Sequence, residues 1–275
     1  MEICPALVCP ARWDKLMVCT DGSPSGQNAV AVTLELAQAC GSLVHVVQVL
    51  EVGSEYQAAA EVQKNMEAIK DAAAKLGVGM QPVVLQGPVT HAAILSAAAK
   101  ISPDLVIMGR RGKTALDRIL MGSVTAQVIG HSPGNVMVVP RGAAVCFQRL
   151  LVALDGSPSS ERAWKLGLAM AKQARSQLLG VAVAPKKGDI LEAQAIIQKM
   201  LTAAKQSGIS LKYVKGISPR GVVPVIGIVQ QAINHEVDLI IMGSHGRTGL
   251  KKLLMGSTTE KVIGNAPCPV LVVKI

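Results

Sequence analysis

The residues best suited to chemistry in this chain are glycines, serines and aspartates that recur at fixed spacings. Gly109 is followed by Gly112 and, after nine intervening residues, by Gly122-Ser123; Gly243, Gly246 and Gly256-Ser257 repeat the pattern. Glycine permits positive φ and lets backbone amides approach a ligand with no Cβ in the way. A Gly-Ser pair that opens a helix presents free amides and the positive end of a dipole, which favours an anion by about 0.3–1 kcal/mol per charge. Ser123 and Ser257 can bond a phosphate there or simply cap the helix. Arg110, Arg111 and Lys113 in the first loop, and Arg247, Lys251 and Lys252 in the second, add cations that suit phosphate, although such residues are more often a solvated face. Asp21 and Asp155 each precede Gly-Ser-Pro and follow Thr20 and Leu154 at the end of an apolar run. A carboxylate there can bond ribose hydroxyls or hold a divalent cation on phosphates; it can also cap the helix that follows.

These residues recur because the chain is duplicated. Val18–Ser25 returns as Val152–Ser159, Asp104–Gly109 as Asp238–Gly243 and Leu120–Ser123 as Leu254–Ser257, all at an offset of 134. A repeat of that length is a whole domain and excludes a short-period solenoid. Within the first copy, Leu16–Thr20, Leu43–Leu50, Pro82–Leu85, Leu105–Met108 and Val136–Val139 read as short buried strands. Helices are expected between them at Pro24–Cys40, Glu55–Leu76 and His91–Lys100, and again at Ser123–Gly130. The first opens on a Ser-Pro start signal. Strands of the second copy fall at Leu150–Leu154, Leu178–Val183, Leu211–Val214, Leu239–Met242 and Val270–Val273. Alternation of this kind predicts an α/β fold: two tandem doubly wound, Rossmann-like domains, each with a five-stranded parallel sheet, over 11–143 and 147–275. Arg141–Gln148 is the candidate linker. Five more residues separate Gly216 from Gly243 than Gly87 from Gly109, which predicts an enlarged loop around Ser218–Gly221. In such sheets Asp21 and Asp155 stand at the carboxyl ends of first strands, where ligands bind.

Composition narrows the function classes. Half of the chain is hydrophobic, with only two Trp, two Tyr and one Phe, a balance that suits buried parallel strands rather than a stacking platform. No run approaches the roughly 20 apolar residues that span a bilayer, and Met1–Trp13 lacks the layout of a secretory signal. A cytoplasmic protein with no membrane partner is expected. The formal charge of +10 invites nucleic acid, but zinc-finger spacing, RNP-type aromatics and long basic runs are missing, which argues against that partner. The six cysteines form neither CxxC pairs nor Cys-His clusters, so reduced, mostly buried thiols and no metal site are expected. There is no Gly-x4-Gly-Lys-Ser/Thr loop. His245, inside the second loop, and His91, near the first, are not matched in the other copy, so no catalytic residue is assigned.

A first-strand Asp-Gly-Ser joined to a later G-x2-G-x9-G-S resembles the universal stress protein family, and the resemblance covers essentially the whole chain. It implies a five-stranded α/β sandwich that often binds ATP. Adenine in ATP-binding members meets the end of the second strand, and counting 28 residues on from each Asp carries that contact onto Val49 and Val183. Met108, Gly109, Gly112, Gly122, Ser123 and Val124 match the phosphate and ribose positions in the first copy. Met242, Gly243, Gly246, Gly256, Ser257 and Thr258 match them in the second, with Arg247 beside them. Arg110-Arg111 departs from the small or His residues common there, and Pro133-Gly134-Asn135 stands where the second copy has Pro267-Cys268-Pro269. The resemblance implies an ATP-binding stress or signalling module, with magnesium accompanying the nucleotide. The alternatives are an AMP or cyclic-AMP sensor, a slow ATPase, or a protein-binding module with empty pockets. The apolar last strands suggest that the two copies pair within the chain, as family dimers do, or form a homodimer.

Overall fold

The computed structural model describes residues 7–51, 56–112, 121–183, 190–209, 211–217, 224–246 and 255–274. The chain divides into two compact units: Arg12–Ala143, and Ala144 onward together with the segment that ends at Ala11. The first unit runs β1 (Lys15–Cys19), α1 (Pro24–Cys40), β2 (Leu43–Glu51), α2 (Tyr56–Lys75), β3 (Met80–Gly87), α3 (Thr90–Ile101), β4 (Leu105–Gly109), α4 (Ser123–His131) and β5 (Val136–Val139). The second repeats the order with β6 (Arg149–Leu154), α5 (Pro158–Ala174), β7 (Gln177–Val183), α6 (Ile190–Gln206), β8 (Leu211–Ile217), α7 (Pro224–Asn234), β9 (Leu239–Gly243), α8 (Ser257–Asn265) and β10 (Val270–Val273).

Every strand pair within a unit is parallel. β1 lies between β2 and β4, β3 flanks β2, and β5 flanks β4, which gives the order β3-β2-β1-β4-β5. The second unit has the equivalent order β8-β7-β6-β9-β10. Strand order therefore reverses between β1 and β4, and again between β6 and β9. A crevice opens at the carboxyl ends of such a pair because the two connections leave toward opposite sides of the sheet. The central strands are the apolar core: Leu16, Met17, Val18 and Ile107 are fully shielded from solvent in one unit, as are Leu150, Leu151, Ile240 and Ile241 in the other.

Local chemistry sets the helix ends. Ser23 Oγ accepts from the Gly26 amide at 3.1 Å and Ser157 Oγ from the Ser160 amide at 3.2 Å, with Pro24 and Pro158 opening the first turn. The capping role that was the alternative for Asp21 and Asp155 thus falls to the serine two residues on. Ser123 and Ser257 are not caps either: Gly122 and Gly256 occupy the cap position, so neither α4 nor α8 has a side-chain cap.

The units divide at Ala143/Ala144, within the candidate linker Arg141–Gln148, but that segment also contains Phe147, which is 1% exposed and whose carbonyl accepts the Ser176 hydroxyl, as the Trp13 carbonyl accepts Ser42 in the first unit. It is a core residue, the counterpart of Trp13, hidden from pattern reading by its polar neighbours. β3 runs beyond Pro82–Leu85, to Met80–Gly87; among the described residues it pairs with β2 alone, and a proline is tolerated on such an edge strand. Cys9, Cys40 and Cys146 are disulfide-bonded rather than reduced; scattered cysteines do not reveal which of them a fold brings together. Cys19 and Cys268 do remain buried thiols, both pushed up to about 12, by burial first. Among the described residues no helix is long and apolar enough to cross a membrane, and no cluster of His, Cys, Asp and Glu could hold a metal ion.

Candidate functional site

Each unit assembles its glycine loop at the reversal of strand order. β4 ends on Gly109, where the Arg110 amide donates to Val139 O at 3.0 Å and the Gly122 amide donates to Arg110 O at 2.9 Å. The second unit repeats both bonds: Ser244 N to Val273 O at 3.1 Å and Gly256 N to Ser244 O at 2.9 Å. These bonds pin the start and end of the loop to one peptide. Thr125 Oγ1 then donates to Gly109 O at 3.1 Å, and Thr259 Oγ1 to Gly243 O at 3.0 Å. The amino end of α4 or α8 is thereby fixed beside the end of its strand. Thr125 and Thr259 were not singled out by the sequence; their exact repetition at the 134 offset was the available signal.

The aspartates close the other side. Asp21 Oδ1 accepts from Ser23 N at 3.0 Å, and Asp155 Oδ1 accepts from Ser157 N at 3.0 Å and from Ser157 Oγ at 2.6 Å. The opposite carboxylate oxygen faces the loop: a Cβ built on Gly112 would lie 2.7 Å from Asp21 Oδ2, and one on Gly246 2.8 Å from Asp155 Oδ2. Ser23 Oγ donates to the Arg111 carbonyl at 3.4 Å, while Ser157 and Ser159 hydroxyls donate to the His245 carbonyl. One short serine-rich turn thus caps α1 or α5 and also holds the glycine loop.

None of Gly109, Gly112, Gly122, Gly243, Gly246 and Gly256 has positive φ, so of the two uses of glycine it is close approach that matters at these positions. At Gly109 a Cβ would meet the Ser25 carbonyl carbon at 2.7 Å and the Gly26 amide at 2.9 Å, and at Gly243 it would meet Ser159 Cβ at 2.7 Å. Those two glycines let a strand end touch a helix start. Gly122 and Gly256 differ. Among the described residues, a Cβ at Gly122 meets nothing nearer than 3.7 Å, and one at Gly256 nothing nearer than 3.5 Å. With φ near −65° at both, the described part of each unit tolerates a side chain at either.

Thr20, Asp21, Met108, Gly109, Gly112, Gly122, Ser123 and Val124 are therefore grouped at the carboxyl end of the first sheet. Leu154, Asp155, Met242, Gly243, Gly246, Gly256, Ser257 and Thr258 are grouped in the second. Val49 is on β2 opposite Leu85, two residues beyond the Cys19–Val47 pairing, and Val183 on β7 is one beyond the Leu154–Ala182 pairing. Arg247, Lys113, Lys251, Lys252 and the enlarged loop at 218–221 lie outside the described residues. The units also trade hydroxyls. Thr20 Oγ1 accepts from Gly22 N at 3.1 Å, and a Cβ on Gly26 would sit 2.8 Å from it; the second unit has Leu154 and Ser160 at these positions, with Ser160 Oγ donating to Ser157 O at 2.9 Å. The His91 ring stacks on that of His131, the last residue of α4, at 6.4 Å between centroids.

The universal stress protein family model matches residues 12–140 and again 147–274. A universal stress protein of Mycolicibacterium smegmatis is 30% identical over 64% of this chain and 63% of its own length. One from Mycobacterium bovis is 26% identical over 94% of this chain and 95% of its own. Among solved structures, a universal stress protein from Archaeoglobus fulgidus superposes with a TM-score of 0.75 at 21% identity, covering 95% of this chain and 98% of that one, which bears on the fold. Two successive matches that together span nearly all of the sequence leave one conclusion: the chain belongs to the universal stress protein family, as two tandem copies of its domain.

Proposed function

We propose that each unit binds an adenine nucleotide, ATP with magnesium, and that the protein is a nucleotide-dependent stress-response or signalling module rather than a dedicated enzyme. One observation carries this reading. The amino ends of α4 and α8 bear no side-chain cap and adjoin Gly122 and Gly256, two glycines that the packing of the described residues does not demand. Uncapped amides and missing Cβ atoms side by side are what a phosphate group requires. Met108, Gly109, Gly112, Ser123 and Val124, with their counterparts Met242, Gly243, Gly246, Ser257 and Thr258, would line the phosphate and ribose. Val49 and Val183 would meet adenine, and Arg247 would add charge. Asp21 and Asp155, each with one oxygen turned to the loop, suit ribose hydroxyls or a magnesium ion on the phosphates.

Family membership also supports a cytoplasmic location and pairing of the two copies through β5 and β10, or a homodimer; sedimentation at several concentrations separates those two. The binding test is a melting series on nucleotide-free protein with ATP and magnesium, AMP and cyclic AMP. ATP at a hundredfold excess over its dissociation constant is expected to stabilise a unit by about 2.7 kcal/mol. A larger shift with AMP or cyclic AMP would make the protein a sensor of those ligands. No shift with any of them would leave the protein-binding module.

A further inference from the structure

The two loops share a backbone scaffold and differ in what they attach to it. Arg110 and Ser244 make the same two backbone bonds, and the carbonyls of Arg111 and His245 accept from the same serine position. On that common frame the first unit carries adjacent guanidinium groups. Nε of Arg111 is buried without a hydrogen-bond partner. Arg110 is partly buried, and its guanidinium is held below its ordinary pKa by burial and then by the charge of Arg111. The second unit has Ser244, 1% exposed, whose hydroxyl pairs with His245 Nδ1 at 3.1 Å. One loop start thus carries two adjacent guanidinium groups, with Nε of Arg111 lacking a partner, and the other a buried hydroxyl bonded to an imidazole. Total charge does not explain this, since Gly109–Gly122 and Gly243–Gly256 each carry a net formal +3 with His neutral. What differs is position: only the first unit places cations between its first two loop glycines, beside the uncapped amides.

We propose that Arg110 and Arg111 make the first unit selective for a polyphosphate-bearing nucleotide over the monophosphate, while Ser244 and His245 leave the second unit with little such preference. The inference rests on the nucleotide-binding reading above. A cation within hydrogen-bonding range of an added phosphate strengthens binding by a charge-assisted bond, and crowding two cations in a partly buried turn adds a repulsion that an anion relieves. The second loop offers no comparable gain at those positions. In a mixed adenylate pool the two units would then respond differently: the first follows the triphosphate fraction and the second total nucleotide.

Calorimetry on the full chain tests this, with Gly256→Val used to observe the first site alone and Gly122→Val the second. The ratio of AMP to ATP dissociation constants is expected to be larger at the first site by about tenfold or more, and to shrink as ionic strength rises from about 0.05 to 0.5 M. Exchanging the pair, Arg110→Ser with Arg111→His, should bring the first site's ratio down to that of the second while AMP affinity changes less than about threefold. Arg110→Gln with Arg111→Gln removes the charges at near-constant length and should do the same if the first exchange misfolds. Equal ratios at the two sites, or a ratio that survives both exchanges, overturns the proposal and leaves nucleotide binding standing. Absence of binding by either nucleotide at either site overturns both.

Discussion

At Gly122 the nearest described atoms to a Cβ would be Arg110 O, Arg111 Cα and Gly112 N, all at 3.7 Å, whereas at Gly109 it would press on the Ser25 backbone at 2.7 Å. Two glycines of one motif therefore do different jobs, and their variants should separate. Gly109→Ala is expected to cost about 1–3 kcal/mol of stability, because backbone must shift to admit the methyl. Gly122→Val should cost about 1 kcal/mol or less, the loss of a favourable cap residue, yet abolish nucleotide binding in its own unit by filling the phosphate space. Chemical denaturation and calorimetry on the two variants check the contrast; a Gly122→Val protein that still titrates two full sites would make that glycine a turn former only. The spacing of these residues was legible in the sequence, and so was their place after a strand. The individual reasons for Gly109 and Gly112 were not, because the neighbours that decide them, Ser25 and Asp21, lie more than 80 positions away in the chain.

Comparing equivalent elements of the two units exposes costs that one copy alone would hide. α1 ends on Gly41 at φ 68°, while α5 ends at the same place on Arg175 at φ 56°. A side chain in that left-handed conformation is strained by about 1 kcal/mol relative to glycine, so Arg175→Gly is expected to raise stability by up to about that amount, read as a shift in denaturant midpoint with unchanged slope. A second element, the entry to β9, uses Asp238: its Oδ2 accepts from the Gln148 and Arg149 amides at 2.7 and 3.1 Å, as Asp104 Oδ2 accepts from Asp14 and Lys15 at 2.8 Å each. Burial raises the Asp238 carboxyl above its usual 3.8 despite these bonds, and Oδ1 is left without a partner. A folded-state pKa above the unfolded one means a stabilising contribution that is complete below pH 3.8 and lost as pH rises through the folded value. The stability of the wild type relative to Asp238→Asn should therefore be greatest in acid and decline with rising pH over that window; a difference that grows with pH would contradict the assignment. The repeated Asp-Leu run was visible in the sequence as a block of the duplication. Its use as a clamp on the first strand was invisible, because it acts through backbone amides whose residue types carry no signal.

At the scale of the molecule, duplication supplies two five-strand parallel sets, each with its own reversal of strand order, and among the described residues each unit carries one buried free thiol that can report on it. Cys19 ends β1, the central strand of the first unit, and Cys268 precedes β10 in the second. Both thiols are buried and pushed up to about 12, so neither offers thiolate to a labelling reagent until its surroundings open. The disulfide-bonded Cys9, Cys40 and Cys146 do not compete for reagent without prior reduction. When opening and closing are fast compared with labelling, the rate at each thiol follows the open population of its surroundings. A ligand at a hundredfold its dissociation constant lowers that population by about a hundredfold, equivalent to about 2.7 kcal/mol. In the wild type, ATP with magnesium should therefore slow labelling at both Cys19 and Cys268. In Gly122→Val it should slow Cys268 alone, and in Gly256→Val Cys19 alone, with peptide mass spectrometry assigning each modified site. Slowing of both thiols in both variants would mean that the units open together as one cooperative body, and no slowing in the wild type would remove ATP from the account of what this fold holds.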